Sequence, residues 1–277
     1  MSQSPRVVLI TGANSGVGLA ATKVLATAAD NFHVIMTGRS LEKVLAAKNE
    51  IESSNPGTAA HLSAIQLDVT DSSSVEAAAQ YVSQRWGHLD ALINNAAVGN
   101  IQSPDIRVRL QTCLETNVTG AADVADKFRP LLLRSSSKPY SIFVSSGAGS
   151  ASTSLCLCGR SSNESDPQFS RTSARLFAPN PPNFPSPPNP TAYHASKAAL
   201  NMVALFEHAD HGKKIKVFAM SPGFVVSNLR GTTQELRSGW GLAGDPMTAG
   251  ETLLAILRGE RDADVGRLIH KDGVYDW

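Results

Sequence analysis

Short, continuously apolar runs alternate along this chain with stretches in which apolar positions recur every three to four residues. The runs at Arg6–Ile10, Phe32–Thr37, Leu62–Leu67, Leu89–Ile93, Ser141–Val144 and Ile215–Met220 read as strands. Helical spacing marks Val17–Ala29, Leu41–Glu52, Ser72–Arg85 behind the cap Asp71, one long helix from Ile106 to Leu133, Ala192–His208 and Thr248–Leu257. Gly266–His270 reads as a last strand. The runs are largely apolar rather than strictly alternating, as expected of strands buried on both faces by βαβ crossovers. The pattern predicts an α/β chain with a doubly wound parallel sheet, with ligands at the carboxyl ends of its strands.

One segment departs from this rhythm. Residues 147–190 hold eight of the chain's 15 prolines and nine serines. Proline removes backbone donors and fixes φ, so the segment reads as an insertion loop within a single domain spanning 1–277, partly disordered or polyproline-like. Residues 224–245 contain four glycines and read as a second loop, a substrate lid.

Composition narrows the function. Across 277 residues, 25 Lys and Arg against 24 Asp and Glu leave a net charge of +1, with 42% apolar residues. That is globular, and it supplies no electrostatic reason to expect a nucleic-acid or membrane partner. No apolar run is long enough to span a bilayer, and Val7–Ile10 behind the polar Met1–Pro5 is too short for a signal-peptide core. Three cysteines do not make a disulfide scaffold, and a reducing, cytoplasmic setting is expected.

The candidate chemistry begins with Thr11-Gly12-Ala13-Asn14-Ser15-Gly16-Val17-Gly18, between the first strand and the first helix. Glycines let a backbone turn tightly against a pyrophosphate, and a helix N-terminus offers free N–H groups and a positive dipole end. An ordinary strand-to-helix turn is the alternative. The second strand ends Met36-Thr37-Gly38-Arg39-Ser40, without the acid that binds a ribose 2′-hydroxyl in NAD sites. Arg39, helped by Asn14, Ser40 and Lys43, suits a 2′-phosphate instead, so NADP(H) is the expected cofactor, with a solvated loop arginine as the alternative.

Five further motifs follow in order: Asn94-Asn95-Ala96-Ala97, Asn117-Val118-Thr119-Gly120, Val144-Ser145-Ser146-Gly147, Tyr193-His194-Ala195-Ser196-Lys197, and Pro222-Gly223 with Ser227 behind it. With the glycine turn, this series resembles the short-chain dehydrogenase/reductase family over nearly the whole chain except the insertion. Ala97 replaces the last glycine of N-N-A-G, and Ser227 replaces the threonine of P-G-x-x-x-T. The resemblance implies a catalytic set of Asn117, Ser146, Tyr193 and Lys197. It also implies cofactor contacts from Gly12, Asn14, Ser15, Gly16, Val17, Gly18, Arg39, Lys43, Asp68, Val69, Asn94, Ala96, Tyr193, Lys197, Pro222, Gly223 and Val225. In it, Lys197 holds the nicotinamide ribose, Asn117 anchors a water that reprotonates Tyr193, and Asp68 with Val69 meets the adenine.

Tyr193 and Lys197 are four apart and share one helix face, about 5–6 Å from each other. An ammonium beside a phenol is expected to lower the phenol pKa from its usual ~10 and make it a usable acid. Ser146 then fixes the carbonyl oxygen that Tyr193 protonates. Ser145 points to the opposite face and reads as packing or backbone support. An exposed amphipathic helix is the alternative reading of the Tyr193–Lys197 pair.

The expected function is NADPH-dependent hydride transfer to a ketone or aldehyde, or the reverse alcohol oxidation. Phe224, Leu229 and Trp240 favour an apolar substrate. The alternative is a cyclase, dehydratase or isomerase that keeps NADP as a structural ligand. The interval between Ser146 and Tyr193 is longer than the family pattern and resembles that of monomeric carbonyl reductases, which implies a monomer or weak dimer. No metal is expected: Cys156 and Cys158 have no second pair, and His208 and His211 read as a solvated helix end. Cys113 reads as core, and the aromatic tail Val274-Tyr275-Asp276-Trp277 as a packing anchor.

Overall fold

A computed structural model describes residues 4–150 and 190–275 of the chain. Cys156, Cys158, Trp277 and nearly all of the insertion loop lie outside the described residues. The elements are β1 (Arg6–Ile10), α1 (Gly16–Thr27), β2 (Phe32–Gly38), α2 (Leu41–Ser54), β3 (Leu62–Gln66), α3 (Ser72–Trp86), β4 (Ala91–Asn94), α4 (Ile106–Leu114), α5 (Gly120–Leu132) and β5 (Tyr140–Val144). After the undescribed stretch come α6 (Thr191–His211), β6 (Lys216–Met220), α7 (Gln234–Ser238), α8 (Met247–Leu257), β7 (Leu268–His270) and β8 (Gly273–Tyr275).

The strands form one sheet in the order β3-β2-β1-β4-β5-β6-β7-β8. β8 pairs antiparallel with β7, and the other pairs are parallel. The unbroken apolar runs are explained by two cores. Val8 and Ile10 face α1, α2 and α8, meeting Leu25, Val44 and Ile256. Val7 and Leu9 face the other way, toward Val75, Phe128 and Leu200 of α3, α5 and α6. Strand order reverses between β1 and β4, which opens a crevice at their carboxyl ends. Thr11 bridges it, donating N–H to Ile93 O at 3.0 Å while its hydroxyl accepts from the Asn95 and Ala96 amides.

The expected long helix is interrupted. Between α4 and α5 the backbone widens into a π-turn at Glu115–Thr119. Its Asn117 side chain is held across the turn by the Val98 backbone and Ser196, at 2.8–2.9 Å. Such a bulge inserts one residue and re-aims a side chain. Two short elements, α7 and β8, were not apparent from periodicity, because neither is long enough to show one.

Gly120 pins α5 to the loop that follows β3. A Cβ there would stand 2.5 Å from Val69 O, a backbone atom that cannot yield cheaply. Gly120→Ala is expected to cost roughly 1–3 kcal/mol, read as a lower denaturant midpoint with unchanged slope. An unchanged midpoint would mean that α5 is free to shift.

Candidate active site

The glycine turn is built for close backbone approach. Gly12 and Gly16 take φ of +63° and +53°, a region that other residues enter only with strain. A Cβ on Gly18 would overlap Gly12 O and come 2.5 Å from Asn95 Nδ2. Ser15 opens α1 in an extended conformation with no side-chain cap, and the first turn holds no acid. The amides of Ser15, Gly16 and Val17 thus border the crevice with nothing anionic of the chain's own to neutralise them.

The crevice has a volume of about 510 Å³. Asn14, Arg39, Ser40, Lys43, Asp68, Val69, Tyr193 and Lys197 all line it; Arg39 and Ser40 follow β2, Asp68 and Val69 follow the edge strand β3, and Lys197 meets the end of β5, on the other side of the sheet's midline. Ser40 caps α2 by accepting from the Lys43 amide, which brings these two residues and Arg39 around one helix N-terminus. The Asp68 carboxylate accepts from the Thr70 amide and hydroxyl. Gly-turn amides, a basic cluster and an opposite Tyr/Lys end fit a phosphorylated dinucleotide lying along the crevice.

Ala96 and Pro222 also line the crevice, whereas Asn94 does not. Asn94 is 3% exposed and its amide atoms lack partners among the described residues. Asn95 takes the place at the wall, donating to Thr11 O at 2.7 Å and Gly12 O at 3.1 Å. Gly223 is exposed, and Val225 is buried below the loop. Gly99–Ile101 and Ser227–Leu229 border the crevice too. Of these, Ser227 and Leu229 had a sequence signal, and a Cβ on Gly16 would stand 3.1 Å from the Ser227 Cβ.

At the far end, α6 places Tyr193 and Lys197 on its buried face. The Lys197 ammonium donates to Val144 O at 2.8 Å and lies 5.8 Å from the Tyr193 ring centroid. The Tyr193 hydroxyl is hydrogen-bonded to Ser146. Ser146 Oγ also accepts from the Ala148 amide at 3.1 Å. Ser145 points inward, donating to Asn201 Oδ1 at 2.5 Å and Lys197 O at 3.3 Å. A Cβ on Gly149 would sit 2.6 Å from the Lys197 carbonyl carbon, so the strand end and the helix touch backbone to backbone. Both Asn117 Nδ2 protons are engaged, leaving the main chain or the remaining Oδ1 lone pair to hold a water.

The electrostatics correct one expectation. Tyr193 is not lowered by Lys197 in the free chain. Burial pushes it up to about 12, and the Ser146 hydrogen bond and the Arg230 charge pull it back only in part. Burial likewise brings Lys197 down to about 7. Taking the charged form out of water outweighs the interaction between the two groups.

A family model described as short chain dehydrogenase matches residues 6–162. The chain belongs to the short-chain dehydrogenase/reductase family. The short-chain dehydrogenase/reductase tropE of Talaromyces stipitatus is 33% identical over 276 residues, covering 97% of this chain and 96% of that protein. Carbonyl reductase [NADPH] 1 of Bos taurus is 25% identical with full coverage of both chains. The crystal structure of NADPH-bound carbonyl reductase from chicken fatty liver superimposes with a TM-score of 0.73 at 25% identity, covering 99% of this chain and 100% of that one. Short-chain dehydrogenases/reductases bind a nicotinamide cofactor and carry out oxidoreduction on small molecules, which places this chain among the oxidoreductases. No helix among its described residues is long and apolar enough to cross a membrane.

Lys197 titrates in the working range, which sets a pH dependence. Its ammonium is present below about pH 7 and lost above it, while Tyr193 keeps its proton until about pH 12. For reduction, kcat/KM is expected to be flat below pH 7 and to fall above it. Lys197→Arg should remove that fall, because guanidinium stays charged. A profile that rises through pH 7 would contradict this assignment.

Proposed function

We propose that this chain is an NADPH-dependent carbonyl reductase acting on an apolar ketone or aldehyde. The observation that carries the reading is the Ser146–Tyr193 hydrogen bond with Lys197 buried beside it, Tyr193 and Lys197 lining the same crevice as Arg39, Ser40 and Lys43. NADPH, when bound, supplies the hydride. The Ser146 hydroxyl donates to the substrate carbonyl oxygen and fixes its position. Tyr193 transfers its phenolic proton to that oxygen as the carbon is reduced, so the alcohol leaves neutral and a phenolate stays behind. Lys197, once protonated, stabilises that phenolate and the ribose hydroxyls. Alcohol oxidation runs through the same groups in reverse.

NADP(H) preference is supported by Arg39, Ser40 and Lys43 at one mouth of the crevice and by the NADPH-bound relative. An apolar substrate is supported by Phe224, Trp240 and Leu242, which stay 45%, 37% and 55% exposed on the 224–245 loop. We propose the 147–190 segment, which precedes α6 in the sequence, as the second contributor to substrate recognition. We further propose a cytoplasmic monomer or weak dimer; a tetramer by light scattering would remove the assembly part.

Loss of NADPH absorbance against a panel of aromatic ketones, quinones and diketones tests the reading. NADPH should be preferred to NADH, and Arg39→Asp should reverse that preference. Tyr193→Phe should lower kcat by at least ~100-fold, the usual scale for removing a general acid. Turnover that survives Tyr193→Phe would overturn the mechanism, and product formed without NADPH consumption would favour the non-redox alternative.

A further inference from the structure

The C-terminal hairpin reaches the site from behind Ser146. In β8, Tyr275 pairs with Leu268 of β7, and its ring lies tilted against His270 with centroids 4.5 Å apart. Arg261 braces the hairpin by donating to His270 O and Gly273 O, each at 3.0 Å. The Tyr275 ring then covers Gly147, the residue after Ser146. A Cβ on Gly147 would stand 3.0 Å from Tyr275 Cζ and 3.1 Å from its hydroxyl oxygen.

That hydroxyl is hydrogen-bonded to Ser221. Ser221 is buried at the end of β6, where its amide donates to Ile269 O at 2.8 Å. Its Oγ accepts from the Gly147 amide at 3.1 Å and, more weakly, from the Gly223 amide at 3.4 Å. A serine oxygen has two lone pairs and one proton. With both lone pairs engaged, the Ser221 proton goes to Tyr275 Oη. One buried hydroxyl thus joins the backbone behind Ser146, the turn behind Pro222 and the C-terminal strand.

We propose that Ser221 and Tyr275 are positioning residues for Ser146: by holding the Gly147 amide they set the direction in which the Ser146 hydroxyl meets the substrate carbonyl. This rests on the catalytic reading of Ser146 above. Neither residue touches the reacting atoms. Tyr275 fits the role because its hydroxyl satisfies Ser221 while its ring excludes water from the Gly147 backbone. Gly147 fits because any side chain there would collide with that ring.

The test uses the full chain with Ser221→Ala, Tyr275→Phe, the double variant and Tyr193→Phe as reference. Tyr275→Phe keeps the ring, so the fold should persist. Each single variant should lower kcat by ~3- to 10-fold, the scale of one lost hydrogen bond. For Tyr275→Phe, KM for NADPH and the thermal midpoint should stay near wild type. The double variant should lose no more than Ser221→Ala alone, since both break one linkage. Deuterium uptake of the 145–150 segment should be faster in both single variants.

A kcat unchanged in both single variants overturns the proposal when Tyr193→Phe abolishes turnover. So does a kcat loss that only tracks a lowered thermal midpoint. If wild type turns over nothing on the panel, the carbonyl-reductase reading fails separately. Deuterium uptake then decides whether the linkage holds Gly147, and unchanged uptake overturns it.

Discussion

Everything at the reactive end of this protein depends on a lysine buried where a charge is expensive. Lys197 is 2% exposed, yet its ammonium, its carbonyl and its carbonyl carbon each meet the end of β5. The ammonium holds Val144 O, the carbonyl accepts from Ser145, and the carbonyl carbon abuts Gly149. These contacts fasten α6 to the central sheet. They also bring Ser146 from one element within a hydrogen bond of Tyr193 on another. Burying an amine without a carboxylate partner costs stability, and here the cost appears as a pKa drawn down to about 7.

The same burial shows why rules for isolated pairs mislead here. An i, i+4 spacing correctly puts Tyr193 and Lys197 on one helix face. It says nothing of the solvent each has lost. In water the ammonium would favour the phenolate; in the interior both groups favour their neutral forms. The polar side chains that surround them are therefore spent on geometry: Asn117 on the π-turn, Asn201 on Ser145, and Ser196 on Asn117.

Much of the architecture was legible in the order of residues. Strands buried on both faces are largely apolar on both, and Val7–Ile10 announces this directly. The Asp71 cap was legible for a similar reason, since its chemistry is local: its carboxylate accepts from the Ser73 and Ser74 amides. The glycine turn is local as well. What periodicity missed depends on partners distant in the chain. The π-turn at Asn117 is stabilised by Val98 and Ser196, whereas β8 pairs with its chain neighbour β7 and is too short to show a period. Asn95 displaces Asn94 at the crevice wall for a reason of parity, because neighbouring residues at a strand end face opposite sides.

The backbone contact between Gly149 and Lys197 has an evolutionary reading. In the sequence the proline-rich stretch lies between Gly149 and Pro190, and Pro190 stands one turn ahead of Tyr193. Gly149 is held against α6 at Lys197, and joining two fixed points becomes only slowly costlier as the intervening chain lengthens. The spacing between the two hydroxyl groups of the site is set by the clamp and is indifferent to how many residues intervene. Such a junction behaves as a socket: segments of different length and composition can be exchanged there while the atoms that move protons keep their places.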